Sequence, residues 1–250
     1  TCKRPAELLK ALPGVWVLPL KANLMRKKSR RYQEAVKLVD ANKAYSLKEA
    51  VGILKKLAPV KFNQTVGLSF YLNIDPKKTD QLIRGTVMLP HGSGRSVRVA
   101  VFCKGEQLKE AIAAGADFVG GADLIEKVGE GFLDFDCAVA TPEMMKDLSR
   151  LGKILGPRGL MPSPKTQTVT VNVAQAVREI KGGKIEFKVD KQAGVHLAIG
   201  KISFDENQII ENASRVLEAL SASKPAAVKG NFIKSVSIAC SMSPGLMLAL

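Results

Sequence analysis

Histidine is almost missing from this chain: only His91 and His196 occur in 250 residues. Aromatic residues are also scarce at 5%, with a single Trp, so any core must be built from Val, Ile, Leu and Ala. Hydrophobic residues still reach 46%, which excludes a disordered basic tail. The four cysteines, Cys2, Cys103, Cys137 and Cys240, are scattered, with no pair at metal-ligand spacing and no dense framework. They read as reduced thiols of a cytosolic or organellar interior, with Cys103, Cys137 and Cys240 expected as small buried hydrophobes. No apolar run is long enough to span a bilayer, and no membrane partner is expected. Acidic residues are in deficit, 23 against 38 Lys and Arg, for a net charge of +15. That excess points to a polyanion, because each neutralised phosphate releases condensed counterions. Nucleic acid leads on charge, although an acidic membrane surface shares the argument.

Phosphate-cradling motifs are lacking too. Gly94-Arg95-Ser96 ends like a Walker loop, but Leu89 stands where the first Gly belongs and Arg95 replaces the Lys. Gly115 to Gly120 carries Ala116, Asp117, Phe118 and Val119 between its glycines and fails the dinucleotide fingerprint. Asp134 and Asp136 form a lone Asp-x-Asp with no metal-binding companion in sequence. His196 falls on the polar face of a strand, where a structural role is expected. No nucleophile–base pair emerges, so the chain reads as a non-enzyme without a cofactor or metal.

What is present is a pattern that changes twice. Residues 1–28 read as a basic N-terminal extension, and the stretch Thr1 to Arg31 ends in the run Arg26-Lys27-Lys28-Ser29-Arg30-Arg31. The absence of an initiator Met leads us to expect trimming of a targeting segment. Ser46 and Glu49 form a capping box for a helix that Pro59 stops. Val66, Leu68, Phe70, Leu72 and Ile74 then alternate, the period of a strand with one buried face. A second short run covers Gly85 to Leu89. Past Gly92-Ser93-Gly94, Val97 to Phe102 is apolar without alternation, as in a strand covered on both faces. Helices are expected over Glu106–Ala114, Asp123–Val128, from Thr141-Pro142 through Leu155, and over Asn172–Lys181, with a second buried strand over Cys137–Ala140. After Gly182-Gly183 alternation returns in Ile185, Phe187 and Val189, then in Val195, Leu197 and Ile199. Asp205 and Gln208 cap a last helix, and a strand over Phe232–Cys240 runs into Ser241-Met242-Ser243-Pro244-Gly245. An α/β module over 92–183 therefore interrupts an α+β layer formed by both chain ends, with Gly92 and Gly183 at the crossings as hinge candidates. One continuous α/β domain with ordinary glycine loops remains the alternative at this point.

Five separated segments carry a family resemblance. They are Leu89-Pro90-His91-Gly92-Ser93-Gly94-Arg95; Gly156-Pro157-Arg158-Gly159-Leu160-Met161-Pro162; Ile199-Gly200-Lys201; Lys224-Pro225 with Lys229-Gly230; and the Ser241 to Gly245 segment. In this order they resemble the bacterial-type first protein of the large ribosomal subunit, the L-one or stalk family. The likeness spans about Ser29 to Gly245 and leaves residues 1–28 unmatched.

The resemblance implies two domains: a discontinuous α+β RNA-binding domain, 29–91 plus 184–250, and an inserted Rossmann-like three-layer α/β domain, 92–183. It implies binding to the large-subunit rRNA of the mobile stalk near the tRNA exit site, with exit-site tRNA and the protein's own messenger RNA as further partners. Release of deacylated tRNA and repression of its own translation would follow. Its RNA contacts match Lys61, Phe62, Thr65, Phe187, Lys191, Ser235, Ser241, Met242 and Ser243. Short hydroxyls suit 2′-hydroxyls, and the lysines suit phosphates. Two departures stand out. Ser243 replaces a usual Gly in the final turn, and Gln167 stands where a Gly usually precedes Thr168. The expected location is the ribosome of a bacterial cytoplasm or of an organelle, chloroplast or mitochondrion. An RNA-binding regulator acting off the ribosome and a nucleotide-dependent enzyme on the α/β module are the competing readings.

Overall fold

The computed structural model describes residues 29–249 except 41–42, 58–59, 79–80, 106, 226–227 and 229. The basic extension, Pro59 and Lys229 lie outside the described residues. In chain order come α1 (Arg30–Lys37), α2 (Leu47–Lys56), β1 (Thr65–Leu72), β2 (Arg84–Met88), β3 (Val99–Phe102), α3 (Gln107–Ala113), β4 (Phe118–Gly120), α4 (Ala122–Gly129) and β5 (Cys137–Ala140). Then follow α5 (Met145–Leu148), α6 (Gly152–Leu155), α7 (Val173–Lys181), β6 (Lys184–Lys188), β7 (Gly194–Lys201), α8 (Glu206–Ala222), β8 (Ile233–Cys240) and β9 (Leu246–Leu248). The result is a mixed α/β fold with three sheets among the described residues.

The largest sheet is antiparallel, in the order β7-β1-β8-β9, and draws on both ends of the chain. Its alternating residues do what their period requires. Val66, Leu68, Phe70 and Leu72 turn inward with Val195, Leu197, Ile199, Val236 and Ile238, and α2 and α8 supply Val51, Leu54, Ile209, Ala213 and Val216 to the same core. Ser46 caps α2 by accepting the Glu49 N–H at 3.3 Å. Asp205 and Gln208 form a reciprocal capping box on α8. Each such cap satisfies amide donors that the first helical turn leaves without partners.

A three-stranded parallel sheet, β4-β3-β5, lies within residues 99–140. Its unbroken apolar runs split by side. Val99 and Val101 pack with Ala111, Val173, Val177 and Ile180 from α3 and α7. Ala100 and Phe102 pack with Leu124, Val128, Leu148 and Leu155 from α4, α5 and α6. Both faces are thereby covered, which is why no alternation is visible in the strands. The third sheet is a ribbon pairing β2 with β6 antiparallel, and its Val87, Phe187 and Val189 join the core of the largest sheet.

Several elements depart from the sequence pattern. The helical track expected from Thr141-Pro142 through Leu155 breaks into short α and 3₁₀ pieces, and the Thr141 side chain makes no cap bond. The Met144, Met145, Leu148, Leu151 and Leu155 spacing still delivers its apolar stripe to one core. Three elements were not expected at all: α1, which buries only Ala35, and the three-residue strands β4 and β9.

Candidate nucleic-acid interface

Inward alternation leaves a second face on the largest sheet. Thr65, Gly67, Ser69 and Tyr71 of β1 point to it, flanked by Gly194, His196 and Ala198 of β7 and by Ser235, Ser237 and Ala239 of β8. None of these is buried. The floor is flat because its central residues are Gly, Ala and Ser, and only Tyr71, His196 and Met247 rise from it as large exposed side chains.

At one end of this face the chain builds a corner by internal hydrogen bonding. Thr65 closes β1 against the start of the Ser241 turn: the Ser241 N–H donates to the Thr65 carbonyl at 3.1 Å, and the Thr65 N–H donates to Ser241 Oγ at 3.1 Å. Gln64, 5% exposed, accepts the Met242 N–H through Oε1 at 3.1 Å. Ser243 Oγ accepts the Cys240 N–H at 2.8 Å. Lys201, opposite Thr65 on β7, donates from Nζ to Thr65 Oγ1 at 2.7 Å. Asn63 Nδ2 donates to Ser203 Oγ at 2.9 Å. Around this rigid frame Lys61 is exposed, and Phe62 and Met242 are each 51% exposed. The frame thus carries Lys201, Met242 and several hydroxyls, and Lys61 and Phe62 lie exposed in the segment that leads into it.

Sequence reasoning named Lys61, Phe62, Thr65, Ser241, Met242 and Ser243; hydrogen bonds join Thr65, Ser241 and Met242 here with Gln64 and the turn that Ser243 closes, and Lys61 and Phe62 lie exposed just before Gln64 in the chain. It missed Gln64, Asn63 and Lys201 as members of the corner. Lys201 lay inside a noted motif, but only strand register places it beside Thr65. The Ser243 departure is accommodated without left-handed backbone, since Ser243 is not among the residues with positive φ. Its side chain closes the turn instead.

Lys191 and Ser235 sit at the opposite end. Ser235 pairs with Tyr71, and Lys191 is exposed in the hairpin before Gly194, which also pairs with Tyr71. Tyr71 lies six residue steps along β1 from Thr65, about 20 Å in an extended strand. The nine residues therefore do not form one cluster. Phe187 belongs to neither end. It is 2% exposed, and its ring lies under Gly85, where an added Cβ would come within 2.7 Å of it. The structure places this matched residue inside the core, where its ring supports the ribbon.

The two crossing glycines meet. Both have positive φ, +69° at Gly92 and +102° at Gly183, and a Cβ on Gly183 would come within 2.5 Å of the Gly92 Cα. Only glycine allows that approach. Asn212 on α8, fully buried, holds the first crossing: its Oδ1 accepts the His91 N–H at 3.2 Å, and its Nδ2 donates to the carbonyls of Gly92 and Ile199. Just past the second crossing, Lys184 Nζ donates to Glu179 Oε2 on α7 and to Gln167 Oε1, both at 2.9 Å. Gln167 adopts φ +56°, so the other departure is a non-glycine residue in left-handed backbone whose side chain bridges to β6.

Beside these contacts lies a cleft of about 710 Å³, lined by β7, the β2–β6 ribbon, Arg95 and the Gly159-Leu160-Met161 segment. Arg158 and Lys165, in and just after that segment, are exposed. The cleft's Asp136 is held below the usual carboxylate range, first by the Arg98 backbone N–H and then by Arg95. Asp117 is lowered by the Val99 N–H and then by Lys181, and Glu179 by Lys184 and then Gln175. Burial pushes the Cys137 and Cys240 thiols up to about 11, so neither is poised as a nucleophile at neutral pH. Among the described residues no group of three or more His, Cys, Asp and Glu could hold a metal ion, and no helix is long and apolar enough to cross a membrane. A family model described as the ribosomal protein L1p/L10e family matches residues 54–244.

Proposed function

The chain belongs to the ribosomal protein L1p/L10e family, and from that membership we propose that it binds large-subunit rRNA through the open face of the β7-β1-β8-β9 sheet. The observation that carries this reading is the corner at Thr65 and Ser241. Internal hydrogen bonds pre-organise it, so little ordering free energy is lost on binding. Lys61 and Lys201 supply charge for phosphates, Phe62 and Met242 supply surface for a ribose or base, and the turn supplies hydroxyls and amides for 2′-hydroxyls. Lys191 and Ser235 extend the contact to the far end of the sheet, while Phe187 stiffens the adjacent ribbon. The family is one of ribosomal proteins rather than of enzymes, and the chemistry of the corner is that of recognition.

In the finer reading, the rRNA belongs to a mobile stalk near the tRNA exit site. Residues 29–91 and 184–250 form the RNA-gripping domain, and residues 92–183 form an inserted domain that swings about the Gly92–Gly183 contact. Its movement accompanies passage and release of exit-site tRNA. The same sheet face would serve a messenger carrying a similar RNA fold, so repression of the protein's own translation uses no second site. A regulator that works only off the ribosome is the competing reading. Sedimentation separates the two: co-migration with large subunits at moderate salt is expected, and a protein found only in free fractions contradicts the ribosomal placement. For the site itself, Lys61→Gln should weaken binding to a stalk rRNA fragment and reduce the salt slope by about one. An unchanged affinity and slope would remove the corner from the interface.

A further inference from the structure

Among the described residues, two that are not glycine adopt positive φ, Gln167 and Ala193. Ala193 lies in the tight hairpin turn between β6 and β7, where its N–H donates to the Asp190 carbonyl at 3.1 Å. Gln167 closes the short 3₁₀ turn Pro164–Thr166, and its N–H donates to the Pro164 carbonyl at 3.1 Å. That backbone bond needs no side chain, and glycine would take φ +56° without strain. A strained residue kept where glycine would do directs attention to its side chain. Here the side chain reaches Lys184: Gln167 Oε1 accepts from Lys184 Nζ at 2.9 Å.

Both ends of this bond are stiff. On the Gln167 side, the Ser163 N–H donates to Thr168 Oγ1 at 2.8 Å and Thr166 Oγ1 donates to the Ser163 carbonyl at 3.0 Å. The Ala140 N–H donates to the Thr168 carbonyl at 3.0 Å and the Thr170 N–H to the Ala140 carbonyl at 3.2 Å, which ties the turn to β5. On the other side, Lys184 pairs with Met88 in the ribbon. Its side chain is 10% exposed, so its charge has little water and depends on Gln167 and Glu179 as acceptors. Both acceptors precede Gly183 in the chain, and the lysine follows it, so the bonds span the second crossing. Asn212 differs in kind, because it bonds the first crossing itself, at the His91 N–H and the Gly92 carbonyl. Lys184 and Thr166, the neighbour of Gln167, also line the cleft of about 710 Å³.

We propose that Gln167 and Lys184 form a strap across the cleft, and that this bond must open before residues 92–183 can swing away from the β2–β6 ribbon. Gln167 is a positioning residue that acts through Lys184. A glycine at this position would relieve the left-handed backbone and leave the strap without its acceptor. The inference rests on the reading of residues 92–183 as a domain that moves about the Gly92–Gly183 contact.

The test measures the distance between spin labels on the full chain, attached through ketone side chains at the exposed positions Lys153 of α6 and Ser214 of α8. Ketone chemistry leaves the native cysteines alone. Wild type should give one narrow distance distribution. Gln167→Gly should enlarge the long-distance population about tenfold, as expected when a hydrogen bond to a charged group is lost. Lys184→Met should do the same. Gln167→Glu keeps an acceptor at the same reach and should restore the narrow distribution. The melting temperature of Gln167→Gly should stay level or rise, because glycine takes this backbone freely; a glutamine that only supported its own turn would instead leave a less stable protein. If folded Gln167→Gly and Lys184→Met both match wild type, while a stalk rRNA fragment shifts the wild-type distribution, the strap is overturned and the moving domain stands. If neither the substitutions nor the RNA shift it, the moving-domain reading falls as well. A Gln167→Glu distribution as broad as that of Gln167→Gly would also overturn the strap, since the acceptor would not be what holds Lys184.

Discussion

Residues 92–183 and the chain on either side of them use sheets in opposite ways. The segment carries 12 Lys and Arg against 11 Asp and Glu, whereas residues 29–91 with 184–250 carry 19 against 11. Its parallel sheet is covered on both faces, by α3 and α7 on one and by α4, α5 and α6 on the other. The antiparallel sheet covers one face with α2 and α8 and leaves the other lined with serines, glycines and a few large side chains. Of the two, only the second offers a continuous sheet surface to a large partner, and the charge excess lies on the same part of the chain. Which face stays bare follows from the two-residue period of strands: one face is spent on the core and the alternate residues are free for other work.

The comparison breaks first if charge reversal acts equally in both regions. Lys61→Glu with Lys201→Glu should lower rRNA affinity about a hundredfold at low salt, while Lys153→Glu with Arg158→Glu should change it only a few-fold, measured by filter binding. Ser241→Ala should cost roughly five- to a hundredfold in affinity. The sequence alone, with the turn directly after a strand, suggests that this variant leaves thermal stability almost unchanged. The structure changes that expectation, because Ser241 Oγ accepts the Thr65 N–H. Losing that bond should cost about 1 kcal/mol, so a modest drop in melting temperature should accompany the affinity loss. Replacing residues 92–183 by a short linker should change rRNA affinity less than about threefold, because the matched contacts lie outside the segment.

The smallest expected effect is on acid stability, and it should fall on the other region. Asp117, Asp136 and Glu179, the carboxylates lowered among the described residues, all lie within 92–183. A lowered folded value means that the stabilisation is present above the ordinary carboxylate range and is lost as pH falls through the folded values. Hydrogen exchange between neutral pH and pH 3 should therefore show amides of β3, β5 and α7 losing protection before those of β1 and β8. These groups are partly exposed, so the difference should be small.

The antiparallel sheet was legible because Val66 to Leu72, Val195 to Ile199 and the Phe232 to Cys240 run carry a two-residue period over at least five residues. β4 and β9 were not, since three residues cannot display a period, and α1 lacks an apolar stripe, with Ala35 its only buried residue. In the site, the motif around Ser241 pointed to the corner, but Gln64 and Lys201 act there only through pairings 178 and 136 residues apart in sequence. Phe187 teaches the reverse. Its alternation with Ile185 and Val189 already marked it as inward-facing, and its burial bears out that pattern.

The central claim, that RNA lies on the open face of the antiparallel sheet, is tested most directly by lysine footprinting of the full chain with and without a stalk rRNA fragment. Acetylation read by mass spectrometry reports each lysine separately. RNA should protect Lys61, Lys191 and Lys201, and leave Lys109, Lys127, Lys146 and Lys153 as reactive as in the free protein. Protection confined to the second group, with the first unchanged, would contradict the account.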